Sequence, residues 1–368
     1  MLYMKTFFYY LIPMISITLL VCSCNDNTCT EVTWYQDADG DGLGNPDISF
    51  EDCNQPSGYV ENSDDSDDTK IESNYLIDES FFNSSSLITF ETINAPLEDG
   101  TTAECFRLTF SSNPVPSGTF CPTTIDDVAG LGFYDGDTNP GFRVFSEALL
   151  NDIEADGYDM VNGDGTVNVD YFDGGMPDPN FSYCLEAAAN DDLELVFIIP
   201  AEPKLGTSNN DIAEVELIGL SLDGVSYNGD PPSAVNGPMM GGPGGGGDQI
   251  NFPSLDPCGG HHDPAGYYHW HFVPEVMNKV LEANGISEVS CTNIEQTTGI
   301  QLAGFAKDGF PIYAYANEPT DLDDCGGRTA TTNEFPDGVY HYVASTTIAS
   351  NVPKCLKGIA AQNAFNYQ

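Results

Sequence analysis

The sequence predicts a mainly β protein with minor α content. It reads as a disulfide-stapled β domain containing two degenerate internal repeats, preceded by a small acidic module of calcium-binding type. The first observation behind this is repetition. Leu255-Asp-Pro-Cys-Gly-Gly260 and Leu322-Asp-Asp-Cys-Gly-Gly327 differ at one position. Gly266-Tyr-Tyr-His-Trp-His271 answers Gly338-Val-Tyr-His-Tyr-Val343, which aligns His269 with His341 and puts Val343 where the first copy has His271. Upstream, Gly219-Leu-Ser-Leu-Asp-Gly-Val225 resembles Gly304-Phe-Ala-Lys-Asp-Gly-Phe310. Matched phrases in the same order define two copies of one supersecondary unit, about 215–291 and 300–358. Each copy reads as a strand, an Asp-Gly turn, a Cys-Gly-Gly loop and a strand carrying Tyr-His. The second observation is the placement of cysteines around these phrases. The third is the alternation of short β-type runs with Gly, Pro, Asn and Asp turns.

In chain order, residues 1–23 read as an export signal. Lys5 is the only charge, an apolar run follows from Phe7 to Val21, and Val21-Cys22-Ser23-Cys24 ends it. This ending resembles a lipobox and makes Cys24 the expected lipidation site. The run is short for a transmembrane anchor. The expected location is therefore extracytoplasmic, on a membrane-anchored lipoprotein facing either the periplasm or the cell exterior. The membrane is the expected partner, through the N-terminal lipid.

Residues 24–68 form the acidic module. Asp37, Asp39 and Asp41 alternate with small residues, so a tight loop can turn three hard oxygen donors inward, with Gly42 at the sharp bend. Ile48 stands where an EF-hand would place a bidentate Glu. The stretch instead resembles thrombospondin type 3 repeats and the related Tyr-x-Asp-x-Asp-Gly-Asp-Gly-x-Gly metal-binding motif. That resemblance implies calcium, with Asp64, Asp65, Asp67 and Asp68 completing the shell. The alternative is a solvated acidic linker. Residues 69–85 read as linker.

From 86 onward the main β domain begins. Leu87–Ile93, Cys105–Phe110 and Leu193–Ile199 are its best early strands. A helix is expected at 145–154, with Ala148, Leu149 and Ile153 on one face. A second is expected at 274–283, with Pro274 in its first turn and Gly285 past its end. Asn162-Gly-Asp-Gly-Thr-Val-Asn168 matches the middle of a dockerin-like calcium loop. Met160 and Tyr171 occupy the outer ligand positions, so a hairpin turn is the more economical assignment. Asn236 to Gly247 reads as a loop tip, and Met239 and Met240 are either exposed there or soft copper(I) ligands.

In an oxidising compartment the cysteines pair. Repeat logic joins Cys258 to Cys291 and Cys325 to Cys355, and Cys29 and Cys53 bracket the acidic module. Cys105, Cys121 and Cys184 then leave one unpaired thiol. The mature chain has no Cys-x-x-Cys spacing for a thiolate zinc site.

The phrases Asp308-Gly-Phe-Pro-Ile-Tyr313, Asp256-Pro-Cys-Gly-Gly-His261 and Tyr268-His-Trp-His271 resemble the YHYH-domain family of secreted bacterial proteins, over about residue 85 to the C-terminus. Both Tyr-His phrases depart from the pattern: Trp270 replaces Tyr in the first, and Val343 replaces the last His of the second. The resemblance implies no particular reaction.

Chemistry concentrates in the histidines, all five of which fall in the two repeats. On a strand, residues i and i+2 share a face, so His269 and His271 present two imidazoles side by side with Trp270 behind them. Packing about a pseudo-twofold axis would bring His341 towards that pair, and His261 and His262 would cap it. Three imidazoles with an open position suit zinc or copper. Asp256, Asp263 or Asp323 would orient the rings from outside the ligand set. The plainer alternative is that these histidines pack.

The formal charge of −47, from ten Lys and Arg against 57 Asp and Glu, argues against a nucleic-acid partner and calls for salt or bound divalent cations. No Gly-x-Ser-x-Gly, phosphate-loop or dinucleotide motif occurs. The first expectation is a lipid-anchored envelope metal-binding protein with a calcium loop and a histidine-lined transition-metal site. The alternatives are a metal-dependent extracytoplasmic enzyme, oxidoreductase or hydrolase, and a structural or adhesive surface protein binding only calcium.

Overall fold

The computed structural model describes residues 31–38, 43–65, 75–172, 178–236 and 249–368. Residues 1–23, Cys24, Cys29, Asp39, Asp41, Asp67, Asp68, Met239 and Met240 lie outside them. The chain divides into two units, Met1–Asn74 and Tyr75–Gln368. It is mainly β, with two short α-helices.

In the smaller unit, Val32–Gln36 is the middle strand of three, between Asn45–Asp52 and Tyr59–Val60. Trp34 is buried and donates from its indole nitrogen to Asp52 O (3.0 Å). Cys53 is disulfide-bonded, and its expected partner, Cys29, lies outside the described residues.

The larger unit is organised by an eight-stranded sheet formed by the two repeats. Its strands are β1 (Leu217–Ser221), β2 (Ser226–Asn228), β3 (Gly260–His262), β4 (Tyr268–Trp270), β5 (Ile300–Ala306), β6 (Pro311–Tyr315), β7 (Gly327–Ala330) and β8 (Val339–Val343). Their order in the sheet is β3-β4-β2-β1-β5-β6-β8-β7. The first four strands are mirrored by the last four about the antiparallel β1–β5 pair, where Gly219 faces Ala306, Leu220 faces Phe305 and Ser221 faces Gly304.

Equivalent registers recur on both sides. Tyr227 pairs with Trp270 as Ile312 pairs with Tyr342, and His261 pairs with His269 as Arg328 pairs with His341. The axis itself requires glycine. A Cβ on Gly219 would lie 2.1 Å from Phe305 O, and one on Gly304 would lie 2.0 Å from Leu220 O. The Asp-Gly turns are also equivalent, with Gly224 at φ +84° and Gly309 at φ +91°.

Both faces of this sheet are covered. One meets a four-stranded antiparallel sheet, ordered 365–367, 194–200, 102–111 and 87–96. Phe106, Leu108, Phe110 and Phe197 of that sheet form a core with Leu220, Phe305, Tyr313 and Val343. The stretch 75–85, expected as linker, contributes Ile77 and Phe82 to this core, because both side chains are apolar and buried. On the other face Tyr227, Tyr268, Trp270, Ile312 and Tyr342 pack with helix α2 (Met277–Ala283). A 3-10 turn at Pro274–Val276 leads into α2, and Gly285 at φ +73° follows it.

Helix α1 (Glu147–Ala155) begins two residues later than expected, because Ser146 is extended and stands at its N-terminal boundary. It buries Leu149, Leu150 and Ile153, whose i, i+1, i+4 spacing puts them on one face. Ala148, expected in that stripe, is exposed. Asn162–Gly165 is a turn, with Gly165 N donating to Asn162 O (2.8 Å) and Val161 bridging Val167.

The repeat disulfides Cys258–Cys291 and Cys325–Cys355 form as expected. Cys121 pairs with Cys184, which identifies buried Cys105 as the free thiol.

Candidate metal centre

The Cys-Gly-Gly loop that opens each hairpin is wound around a carboxylate. Asp256, fully buried, accepts from Cys258 N (2.8 Å), Gly118 N (2.8 Å) and the Tyr268 hydroxyl (2.8 Å). Asp323 repeats this with Cys325 N (2.9 Å), Gly327 N (3.0 Å) and the Tyr340 hydroxyl (3.0 Å). Burial pushes the Asp256 pKa up, against those hydrogen bonds. These aspartates therefore fix the hairpins rather than the imidazole rings, and Asp263 likewise accepts from Ala265 N (2.8 Å).

What the hairpin of the first repeat holds is set by strand alternation. His261 on β3 faces His269 across the ladder, and His271, two residues after His269, shares its side of β4. Trp270 and Tyr268 point to the opposite face and into the core with α2. The result is three Nε2 atoms drawn together. His271 Nε2 lies 3.1 Å from His269 Nε2 and 3.2 Å from His261 Nε2.

The ring orientations come from main-chain carbonyls. His261 Nδ1 meets Ser254 O (3.1 Å) and His271 Nδ1 meets Gly229 O (2.5 Å). A carbonyl only accepts, so both Nδ1 atoms carry the proton and both Nε2 atoms present lone pairs. Burial keeps these rings neutral, reinforced at His261 and His269 by neighbouring imidazoles. His261 is pushed down to about 3 and His269 well below its ordinary value, while burial takes His271 down to about 4.

Two lone pairs facing each other at 3.2 Å repel, and neutral His269 can supply at most one proton between them. A cation resolves the conflict. Nitrogens about a tetrahedral zinc, with Zn–N of about 2.0–2.1 Å, lie about 3.3 Å apart, close to the spacing here. Among the described residues, His261, His269 and His271 are the group whose donor atoms converge well enough to hold a metal.

His261 and His269 also line a cavity of about 260 Å³. Phe120, Leu185, Pro253 and Tyr267 give it apolar wall. A metal held by the three rings would thus sit beside this cavity, which His261 and His269 border and His271 does not.

The other sequence-nominated histidines have different roles. His262 alternates to the other side of β3, where its ring meets the edges of Phe120 and Tyr268. It is not a member of the triad. His341 does not approach the triad either. The antiparallel β1–β5 pairing sends the two Tyr-His strands to opposite flanks of the sheet. They are separated by five strand spacings in the order above, about 24 Å. His341 is satisfied where it sits: Nδ1 meets Val339 O (3.1 Å), Nε2 meets the Tyr315 hydroxyl (2.8 Å), and its ring stacks on Tyr315. Arg328 and Val343 stand where the first repeat has His261 and His271, so the repeat scaffold is duplicated and the triad is not.

In the acidic module, Asp37 is half-buried, Asp64 exposed and Asp65 buried. These three do not form a close ligand group by themselves. Sequence reasoning missed the carbonyls of Ser254 and Gly229, which have no side-chain signature, and Asn228 and Asn251 in the cavity wall.

Residues 196–320 and 314–358 match the model of the YHYH protein family, which supports the family resemblance over the two repeats. Neither a curated protein nor a solved structure matches the chain.

Proposed function

We propose that this chain, whose residues 196–320 and 314–358 match the YHYH family model, is an extracytoplasmic metal-binding protein. His261, His269 and His271 hold one zinc or copper ion beside the cavity. The observation that carries this reading is the convergence of three Nε2 atoms while carbonyls fix two of the rings as lone-pair donors. Measuring the metal content of a soluble form, Asn25 to Gln368, tests it. Near-stoichiometric zinc or copper that is lost in His269→Ala supports it. A histidine-independent metal content overturns it.

The cavity beside His261 and His269 also favours a second reading, a metal-dependent hydrolase or oxidoreductase at the same ion. For the location, lipidation at Cys24 and export are proposals carried by the signal-like N-terminus. The disulfides of the larger unit support them by requiring an oxidising compartment. Calcium in the acidic module is also a proposal. Asp65 is 2 % exposed, and its backbone nitrogen donates to Gly44 O (3.1 Å). Removal of calcium by chelation should lower the melting temperature of the wild-type protein. No change would leave the module without that role.

A further inference from the structure

The second repeat carries no triad of its own, yet it grips the first one from outside. His271 Nε2 lies within reach of both other Nε2 atoms, so the aim of this ring decides whether the three converge. That aim is set at two points. One is the carbonyl of Gly229, which meets His271 Nδ1 (2.5 Å). Glycine has no side chain to be held by, and its neighbour Asp230 supplies the anchor. The Asp230 carboxylate accepts from the Ser350 hydroxyl (2.6 Å) and from the Lys354 ammonium, and Lys354 also donates to Ser350 Oγ (3.1 Å). The Lys354 and Asp230 side chains are about half exposed (48 % and 49 %), so their ion pair contributes little to stability. Its effect is on where Gly229 sits.

The other point is the end of the strand that carries the ring. Two residues beyond His271, Val273 donates its N–H to Asn351 Oδ1 (2.7 Å), and its carbonyl accepts from Asn351 Nδ2 (3.2 Å). One buried side-chain amide there replaces a strand partner, just before Pro274, which has no N–H to offer. Ser350, Asn351 and Lys354 belong to one stretch of the second repeat, and the Cys325–Cys355 disulfide ties down the residue that follows it.

We infer that residues 350–354 of the second repeat are the positioning element for His271: Ser350 and Lys354 act through Asp230 on the Gly229 carbonyl, and Asn351 acts on the strand end. This rests on the proposed metal site. The repeat without a triad is thereby required for the metal affinity of the repeat that has one.

Titration of the soluble form, Asn25 to Gln368, with cobalt(II) alone tests this. Cobalt(II) absorbs strongly in the visible in a four-coordinate site and weakly in a six-coordinate one. The wild type should show the strong bands. Asp230→Ala and Asn351→Ala should each weaken cobalt about tenfold and fade the bands, whereas Asp230→Asn should stay within about threefold of wild type. The asparagine oxygen still accepts from Ser350 and Lys354. Gly285→Ala, which destabilises the fold away from this element, should keep the wild-type affinity and spectrum. Asp230→Ala, or a folded Asn351→Ala, that binds like wild type overturns the inference. So does Asp230→Asn weakened as much as Asp230→Ala, because the charge and not the anchoring would then set the affinity. If Asn351→Ala does not fold, the two Asp230 variants decide. A wild-type chain that takes up no cobalt overturns the metal reading itself, and this inference with it.

Discussion

Replacing His271 by the residue its repeat mate carries should abolish metal binding and spare the fold. Val343 occupies the equivalent position on β8, so valine is compatible with this place in the scaffold. In the metal-free protein, His271→Val loses the Nδ1 hydrogen bond and leaves Gly229 O without its partner, a cost of about 1–3 kcal/mol. It also buries an apolar side chain and removes the lone-pair contact with His261, which returns roughly 1 kcal/mol. The metal-free variant should therefore melt within about 3 °C of the metal-free wild type.

Zinc separates the two proteins. At a free concentration one hundred times Kd, zinc stabilises the wild type by about 2.7 kcal/mol. At about 2.1 cal/mol/K of unfolding entropy per residue over Tyr75–Gln368, this raises Tm by roughly 4 °C. Losing one of three ligands should weaken binding at least ~100-fold, which brings the shift close to zero. Thermal unfolding with and without zinc, at constant calcium, reads this out, and His341→Ala serves as the comparison because it should keep the full shift. A His271→Val protein that still gains about 4 °C, or a His341→Ala protein that gains nothing, would refute the assignment of the ligands.

Three further outcomes follow from the fold. Gly219→Ala or Gly304→Ala should destabilise the larger unit by more than ~3 kcal/mol in denaturant unfolding, since the added carbon meets a main-chain oxygen at 2.1 or 2.0 Å. Gly285→Ala, in open space at φ +73°, should cost only about 1 kcal/mol. The double variant Cys258→Ser, Cys291→Ser should lose about 3–4 kcal/mol, because the disulfide closes a loop of 33 residues. Burial pushes the Glu275 carboxyl up to about 7, above its ordinary 4.5, and its Oε2 has no partner among the described residues. The folded protein therefore holds this proton more tightly, and the stability it contributes is present below about pH 4.5 and lost as pH rises to about 7. Glu275→Gln should be more stable than wild type at pH 8 by roughly 3 kcal/mol, with the difference becoming small near pH 4.5.

The repeat, its strands and its two disulfides were legible because each copy checks the other: a motif such as Asp-x-Cys-Gly-Gly that occurs twice in register has to do the same backbone work twice. Pairing His269 with His271 was legible from strand alternation alone. Placing His341 was not. Duplicated phrases announce a pseudo-twofold but not which strands lie on its axis, and the β1–β5 pairing decides whether the Tyr-His strands meet or part. His261 and His262 were indistinguishable as neighbours on a loop. They separate once β3 is a strand, with one ring turned to the triad and the other to Phe120. The carbonyl partners and the cavity wall were out of reach because they come from distant segments and have no local pattern, as with Ser254 O and Asn251.

X-ray absorption at the zinc edge of the zinc-loaded wild-type chain reads the atoms around the ion themselves. The expected spectrum is that of a four-coordinate ion with three imidazole nitrogens at about 2.0–2.1 Å and one further light atom. An ion surrounded only by oxygens, or a chain that retains neither zinc nor copper, would overturn the assignment.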